Sequence, residues 1–464
     1  MSKNLYDRLI EYSRSDAYPF HMPGHKRNMM DMEDPYRFDL TEIDGFDNLH
    51  DAQNLLLREQ ERTSKIYGSD ESHWMVNGST GGLLAAIAGV CRRGDRILAA
   101  RNCHTSVYHA IERNGLRPVY LWPEVDKDFG IYKGLSREQV EYVLDEYPDI
   151  KAVIFTSPTY EGNLSDVRGI CEAAHKRGIP CIVDEAHGAH LRFIGMEDAL
   201  LCGADVVIQS LHKTMPALTQ TALLHIQGNL VSSERIRRML ATYQTSSPSY
   251  VFMASISKCM TWLENEGTNA FEIYKRENQI FRERLSKLRY LTLYHSKNPY
   301  DWGKWVIHTR CSGMSGRELY DRLRDEFDLQ MEMVSAEYVL AMTTVGDRRE
   351  GLERLTSALE QIDSEIQSRQ TFSMEMQIAA PKRALEMDEA VDQPTEMVPL
   401  FMAKDRIMGD YIYLYPPGIP LLVPGEILDE RQIKQIEYYE SQGLDVHGGY
   451  LKESKDVKVI LHHG

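Results

Sequence analysis

Apolar and polar positions along residues 51–290 follow two alternating patterns. Short apolar runs of the kind found in buried strands are separated by stretches with helical periodicity. The apolar runs are HWMV, RILAA, PVYLW, AVIFTS, CIVDEA, DVVIQS and ALLHI. Strands that alternate with helices predict an α/β domain built on a mostly parallel, seven-stranded sheet with helices on both faces.

Three further regions flank or follow this domain. Residues 1–50 predict an N-terminal arm with a short helix and an irregular YPFHMPGHKRN segment, which we expect to be ordered only by packing against another part of the protein. Residues 291–371 predict a small α+β domain, with strands WVIHT and YVLAMTT beside two helices. Residues 372–464 predict a C-terminal domain with the strand YIYLY, the turn-rich segment YPPGIPLLVPGEI and a final helix.

Composition narrows the class of protein. The 464 residues are 42% hydrophobic and 26% charged, as in ordinary globular proteins, and they allow two to four structural units. A net charge of −16 disfavours binding to nucleic acid or anionic lipid. The charged start MSKNLYDRLIEYSR is unlike a signal peptide, and the apolar runs are too short to span a bilayer, so we expect a cytoplasmic protein. Seven cysteines, none at CxxC spacing, predict reduced thiols.

Ligands of parallel α/β sheets collect where strands end and helices begin. The segment Asn77-Gly78-Ser79-Thr80-Gly81-Gly82 follows the strand HWMV and opens an apolar helix. Backbone N–H groups and hydroxyls at a helix N-terminus can bind a phosphate, although the same residues can also simply cap the helix. The segment lacks GxGxxG and GK[ST], so dinucleotide and Walker-type nucleotide binding are poorly supported.

A second strand end carries an aspartate. Asp184 closes the apolar run CIVD, where an unpaired carboxylate would be costly, so a cationic ring nitrogen would be a suitable partner. Two other interpretations of the Asp184 carboxylate stay open, a metal ligand and a cap of the following turn. Asp184, His187 and His190 are all metal-ligand types, and the carboxylate can also cap the following turn.

A third strand end carries a lysine. Lys213 follows the apolar run DVVIQS, with Ser210 and His212 before it, and desolvation there would favour its unprotonated, imine-forming amine. An anion site, a strand-end carboxylate and such a lysine are together what pyridoxal phosphate requires.

The order of the motifs NGSTGG, RNCHTSVYHAI, DEAHGAH and QSLHKTMPALTQTA resembles the fold type I pyridoxal-phosphate enzymes, specifically the Orn/Lys/Arg decarboxylase family. FHMPGHK in the arm and YPPGIPLLVPGE near the C-terminus are similar to further signatures of this family. The resemblance covers roughly residues 17–440 and is to the shorter members, which lack an N-terminal wing domain.

The resemblance implies a role for each matching residue. Lys213 would bond the cofactor, Asp184 would hold the pyridinium nitrogen, and Lys213 or His212 would deliver the proton that replaces the lost carboxylate. His104 would stack on the cofactor ring. The other implied cofactor contacts are Ser79, Thr80, Gly81, Ala186, His187, Ser210 and His212, together with Thr245 and Ser246, which would reach the phosphate of a neighbouring subunit.

A basic substrate also carries a distal cation, so its pocket should contain a carboxylate. Candidates are Asp44 and Asp47 in the DGFDNLHD segment and Glu426 in VPGE. Glu426 is favoured because Pro-Gly turns restrict the backbone before it and would aim the side chain.

The expected function is decarboxylation of arginine, lysine or ornithine to the corresponding amine, as in polyamine and diamine biosynthesis, by a homodimer or dimer-based oligomer. Another fold type I enzyme, such as an aminotransferase or a carbon–sulfur lyase, is the first alternative. A non-catalytic regulator that binds amino acids or polyamines is the second, and a metal hydrolase follows. No motif chooses among the three basic amino acids.

Overall fold

The computed structural model describes residues 4–28, 32–367 and 380–461. The arm contains helix α1 (Leu5–Ser13) and strand β1 (Tyr18–Phe20). The major domain that follows is built from α2 (Leu55–Tyr67), β2 (Glu71–Met75), α3 (Gly78–Val90), β3 (Arg96–Ala100), α4 (Thr105–Arg113), β4 (Arg117–Leu121), β5 (Val125–Asp126), β6 (Ile131–Tyr132), α5 (Arg137–Glu146), β7 (Ile150–Thr156), α6 (Val167–His175), β8 (Cys181–Asp184), β9 (Val206–Gln209), α7 (Leu211–Thr214), β10 (Ala222–Ile226), α8 (Ser233–Tyr243), α9 (Tyr250–Trp262) and α10 (Thr268–Leu285).

The central sheet has seven strands in the order β2-β10-β9-β8-β7-β3-β4. Strand β10 runs antiparallel to both of its neighbours, and the other pairs are parallel. Each strand coincides with one of the seven apolar runs, so the predicted mostly parallel sheet is confirmed. Such runs suit strands that helices cover on both faces.

The small domain continues with β11 (Thr292–Leu293), β12 (Lys304–His308), α11 (Gly316–Phe327), β13 (Leu329–Met331), β14 (Met333–Val334), β15 (Tyr338–Met342) and α12 (Arg349–Glu365). Strands β11, β12, β15 and β14 form an antiparallel sheet in that order. Helices α10, α11 and α12 contribute buried side chains to the hydrophobic cluster of this domain, which also includes Phe20 of the arm.

The C-terminal residues form α13 (Met387–Ala390), β16 (Thr395–Pro399), β17 (Ile412–Leu414), β18 (Ile419–Leu422), α14 (Glu430–Ser441), β19 (Val446–Gly448), β20 (Tyr450–Leu451) and β21 (Asp456–Ile460). They make two three-stranded sheets, β16-β21-β20 and β18-β17-β19. The sequence analysis predicted one of these strands and missed β21, whose residues DVKVI alternate regularly; the remaining four are short or contain proline or glycine, which weakens a strand pattern. The domain limits at residues 50, 290 and 371 remain a prediction, and the last lies outside the described residues.

Packing orders the arm, as the sequence predicts. Strand β1 pairs in parallel with β13, and the buried Lys26 Nζ donates hydrogen bonds to the carbonyl oxygens of Pro19, His21 and Met342 at 3.0, 2.9 and 2.8 Å. The Gly24 N–H donates to the His212 carbonyl at 2.7 Å. The arm therefore joins the small domain to the segment that carries Lys213.

Chemistry-bearing residues collect at one edge of the central sheet. Asp184 is the last residue of β8, Ser210 follows β9, and His104 lies beyond the end of β3. The turn after β2 leads directly into α3. These strands are mutually parallel, so their carboxyl ends meet at the same edge, where α/β proteins bind ligands. In the described part of the chain, no helix is both long and apolar enough to cross a bilayer.

Candidate active site

The N-terminus of α3 has the features of an anion site. Asn77 precedes the helix without capping it, because its Nδ2 donates to the Tyr243 carbonyl at 2.7 Å and its buried Oδ1 has no hydrogen-bond partner in the described chain. A Cβ atom on Gly81 would lie 2.4 Å from Asn77 Oδ1, so any larger residue there would displace the Asn77 amide. Ser210 Oγ donates to Ser79 Oγ at 2.9 Å. Uncapped first-turn N–H groups beside two serine hydroxyls are well suited to a phosphate.

Two threonines belong to the helices that begin at these strand ends, α3 and α7. Thr80 is exposed in the first turn of α3. Thr214, which the sequence analysis did not identify, follows Lys213, and its buried Oγ1 has no hydrogen-bond partner among the described residues. A buried hydroxyl without a partner at such a site is available to a ligand.

Lys213 lies in α7 directly beyond β9. Its Nζ is 3.1 Å from Nε2 of His187. Burial lowers the pKa of Lys213, and the charges of Asp184 and Glu332 oppose that effect. A lysine with a lowered pKa is more often unprotonated, as a nucleophilic amine must be.

Asp184 is 3% exposed. The Ala186 N–H donates to its Oδ1 at 3.2 Å, and Oδ2, which has no hydrogen bond within the described part of the chain, is available for a ligand. Burial raises the pKa of Asp184, while the charge of Lys213 lowers it. A protonated ring nitrogen placed here would supply the positive charge that stabilises the ionised carboxylate.

His104 is the N-cap of α4, and its Nδ1 accepts a hydrogen bond from the Ser106 N–H at 3.2 Å. Burial, with a smaller contribution from the Lys213 charge, lowers the pKa of His104 to about 4. A Cβ atom on Gly418 would lie 3.1 Å from the His104 ring, and the Gly418 carbonyl accepts from the Thr105 N–H at 3.0 Å. The Tyr415–Gly418 turn therefore contacts a neutral His104 ring.

His212 is held by main-chain contacts on both sides. Its Nδ1–H donates to the Thr221 carbonyl at 3.0 Å, and its own carbonyl accepts from Gly24. Burial lowers the pKa of His212 to about 4. His212 is therefore neutral at pH 7, with its proton on Nδ1.

His187 and His190 have separate partners. His187 lies between the Nζ atoms of Lys213 and Lys304, at 3.1 and 2.8 Å, whereas His190 Nε2 is 3.3 Å from Asp301 Oδ1. These contacts disfavour a shared metal site with Asp184. Within the described ranges, the ligand-type side chains close enough to share an ion are His175, Cys181 and Asp205, near the opposite end of β8.

A cavity of about 320 Å³ adjoins the turn over His104. Tyr415 and the two prolines after it line the cavity, as do Glu161 and Glu332. Glu332 accepts hydrogen bonds from the Tyr160 hydroxyl and, at 2.9 Å, from the Met22 N–H. Glu161 is buried and accepts from the Tyr338 hydroxyl at 2.8 Å. The sequence analysis did not identify these two acids, because no local motif marks them.

The structure contradicts the expected role of Glu426. Its Oε2 lies 3.1 Å from Arg101 Nη2 and accepts from the Val423 N–H at 2.9 Å, with both charged side chains buried. Arg101 also donates to the carbonyls of Pro420 and Leu421 and lies 5.0 Å from the Trp122 ring. The Pro-Gly turns thus aim Glu426 at an internal arginine, and the pair anchors the segment after the Tyr415–Gly418 turn.

Asp47 is also structural. Its carboxylate accepts from the backbone N–H groups of Asn54 and Leu56 at 2.8 and 3.0 Å and so caps the start of α2. Asp44 is exposed on the single chain, as are Thr245 and Ser246 between α8 and α9. The Thr245 carbonyl accepts from His50 Nε2–H at 2.7 Å. The roles of Asp44, Thr245 and Ser246 stay predictions.

Comparison with known proteins identifies the family. The family model "Orn/Lys/Arg decarboxylase, major domain" matches residues 3–319, and the model of the C-terminal domain of the same family matches residues 364–444. An arginine decarboxylase of Bacillus subtilis is 32% identical over 96% of this chain and 95% of its own length. The arginine decarboxylase of Bacillus anthracis is 29% identical over 99% of this chain and 97% of its own length.

Solved structures agree on the fold. The lysine decarboxylase of Francisella novicida superposes with a TM-score of 0.79 at 21% identity, covering 98% of this chain and 80% of its own. The constitutive lysine decarboxylase of Escherichia coli superposes with a TM-score of 0.78 at 19% identity, covering 98% of this chain and 81% of its own. The chain therefore belongs to the Orn/Lys/Arg decarboxylase family and is an amino-acid decarboxylase with the type I fold of pyridoxal-phosphate enzymes.

Proposed function

We propose that this enzyme binds pyridoxal phosphate and removes the α-carboxylate of arginine as carbon dioxide, leaving agmatine. The observation that carries the proposal is the placement of Lys213, Asp184 and the uncapped start of α3 at one sheet edge, next to a cavity lined by the buried Glu161 and the half-buried Glu332. Arginine is favoured over lysine and ornithine because the relatives that match along nearly their whole length include several arginine decarboxylases.

The residues present fit the cofactor. When bound, pyridoxal phosphate supplies an electron-accepting ring for the electron pair left at Cα after decarboxylation. Lys213 Nζ would bond its aldehyde carbon, and Asp184 would hold its ring nitrogen in the protonated form. The other proposed contacts are Ser79, Thr80, Gly81 and Ser210 at the phosphate, with His104, Ala186, His187 and His212 around the remaining cofactor.

The reaction consumes a proton, which takes the place of the carboxylate at Cα. His212 is a poor donor, because its proton lies on Nδ1 and is bonded to the Thr221 carbonyl. Lys213 Nζ is the better donor, since among the described residues its amine is hydrogen-bonded to the His187 ring and to no main-chain carbonyl. We therefore assign the final proton transfer to Lys213.

Glu332 is the proposed partner of the substrate's distal cation. It lines the cavity, and its charge acts on Lys213, so its carboxylate is within electrostatic range of the reacting amine and borders the space that a long side chain would fill. A guanidinium carries five N–H donors and is suited to carboxylate acceptors such as those of Glu332 and Glu161.

Glu332→Gln tests this assignment, because it keeps the shape of the side chain and removes its charge. The unaltered enzyme should turn over arginine faster than lysine or ornithine. A charge-assisted hydrogen bond contributes about 1.5–3 kcal/mol, so kcat/KM for arginine should fall roughly 10- to 100-fold in the variant. The kcat/KM for the uncharged analogue citrulline should fall much less. Product analysis with both substrates measures the two changes.

Glu426→Gln is the matched control, since it also neutralises a buried carboxylate. It leaves Arg101 without its counter-ion and should lower the free energy of unfolding by about 3–5 kcal/mol, without changing the ratio of arginine to citrulline turnover. If Glu332→Gln lowered kcat/KM for arginine and for citrulline by the same factor, Glu332 would be acting structurally. Preference for lysine in the unaltered enzyme would contradict the choice of arginine.

We also propose a homodimer or dimer-based oligomer in which Thr245 or Ser246 reaches the partner's phosphate site. Mixing Lys213→Ala protein with a variant disabled at residues 245 and 246 should restore activity, because one site of each heterodimer then carries neither change. Heterodimer formation without recovered activity, when each parent is inactive, would count against a shared site.

A further inference from the structure

A second buried lysine stands behind the active-site histidine. Lys304 begins strand β12 of the small domain and is 1% exposed. Its Nζ lies 2.8 Å from His187 Nδ1, and Lys213 Nζ lies 3.1 Å from Nε2 of the same ring. The Tyr160 ring packs against His187 with centroids 4.7 Å apart, and Lys304 Nζ lies 6.0 Å from the centre of that ring. The three nitrogen-bearing groups thus form a continuous chain.

Proton counting restricts the charges along this chain. Burial, reinforced by the charges of Lys213 and Lys304, lowers the pKa of His187 well below its usual range, so the ring is neutral. A neutral imidazole has one N–H donor and one acceptor, whereas an ammonium group can only donate. If both contacts are hydrogen bonds, one lysine donates to His187 and the other accepts from it. The accepting lysine must be an unprotonated amine.

The surroundings indicate which lysine keeps its charge. Burial lowers the pKa of Lys304 to about 8, and the charge of Asp301 opposes that effect, so Lys304 stays mostly protonated at pH 7. The 2.8 Å contact is also the shorter one, as expected where an ammonium donates. Lys304 therefore donates to Nδ1, and the proton on Nε2 points at the Lys213 amine.

Other charged or titratable groups also face the chain. Those that act on Lys213 or His187 are Asp184, Glu332, His104 and His212, and those that act on Lys304 are Asp301, Glu332, Lys26 and Lys213. Glu161 lies within range of the Lys304 charge. The carboxylate of Glu332 acts on both lysines, so it does not by itself favour one as the proton holder.

We propose that Lys304 is a positioning residue that acts through His187 to hold Lys213 as an unprotonated, nucleophilic amine. The inference rests on the proposed role of Lys213 as the residue that bonds the cofactor. The same chain can return a proton: one moves from Lys304 Nζ to His187 Nδ1 as another moves from Nε2 to Lys213 Nζ. Lys304 then ends neutral, Lys213 ends charged, and His187 remains neutral with its proton on the other nitrogen.

The test uses the full-length protein without cofactor, so its outcome does not depend on turnover. Acetic anhydride labels unprotonated amines, and mass spectrometry of the Lys213 peptide across a pH series gives the apparent pKa of that lysine. Lys304→Met should raise this value by about one unit or more, because it removes a like charge and frees His187 to accept from Lys213. Lys304→Arg keeps a charged donor and should leave the value close to that of the unaltered protein.

Two further variants separate the proposed path from alternatives. Lys304→Gln keeps an N–H donor without a charge and should give a smaller rise in the same direction, which covers a failure of Lys304→Met to fold. In a His187→Phe background, Lys304→Met should have little further effect. Three results would overturn the proposal. The first is an unchanged Lys213 pKa in both Lys304→Met and Lys304→Gln, and the second is an equal rise of that pKa in Lys304→Met and Lys304→Arg. The third is a rise of the Lys213 pKa on adding Lys304→Met to His187→Phe that is as large as the rise with His187 present. Failure of cofactor binding alone would instead count against the role of Lys213.

Discussion

Lys213→Ala is expected to abolish decarboxylation and the covalent attachment of the cofactor together. No other side chain can take over the amine in the same position, so activity should fall roughly 10⁴-fold or more. The unaltered protein should absorb visible light when loaded with pyridoxal phosphate, and borohydride should abolish that band and leave the label on Lys213. Absorbance spectra and peptide mass spectrometry measure both effects.

The chain offers two informative comparison lysines. Lys151 is exposed on β7, so Lys151→Ala should keep both the visible band and the activity. Lys304 is the buried amine on the far side of His187. A borohydride-stable label on Lys304, or a coloured and active Lys213→Ala protein, would refute the assignment.

Asp184→Asn is expected to reduce turnover much more than it reduces cofactor binding. The amide keeps the size of the side chain but cannot hold a protonated ring nitrogen by charge. Loss of such a preorganised electrostatic partner costs about 3–4 kcal/mol, or 10²–10³-fold in kcat. Steady-state kinetics and cofactor titration, carried out on the same preparation, separate the two effects.

Asp205→Asn is the matched control for Asp184→Asn. Asp205 is also buried, just before the neighbouring strand β9, but its carboxylate accepts from the Cys181 N–H at 2.8 Å and contacts His175 away from the site. Its replacement should lower thermal stability and leave kcat nearly unchanged. Near-normal kcat in Asp184→Asn would mean that the ring nitrogen is controlled by another group.

The pattern of apolar residues along the chain predicts both the central sheet and the clustering of the residues that follow its strands, for the same physical reason. Buried parallel strands need continuous apolar runs, and their carboxyl ends meet at one edge, which brings the regions of Ser79, Asp184 and Lys213 together. The acids of the cavity and Lys304 come from distant parts of the chain, and no spacing rule connects them to the site. Glu426 shows the limit most clearly, because the partner that fixes it, Arg101, is 325 positions away.

The pairing of β1 with β13 also has a consequence for biosynthesis. Tyr18 pairs in register with Leu329, so β1 cannot pair until the ribosome has synthesised that residue. At 5–20 residues per second, synthesis of the intervening chain takes roughly 15 to 60 s. Until then the arm lacks both the strand beside it and the Met342 carbonyl that accepts from Lys26. A nascent chain that ends at residue 290 can already contain every strand of the central sheet, yet the anchors that the small domain supplies to the arm beside His212 are still missing. The completed active site is thus a late event in the synthesis of this enzyme.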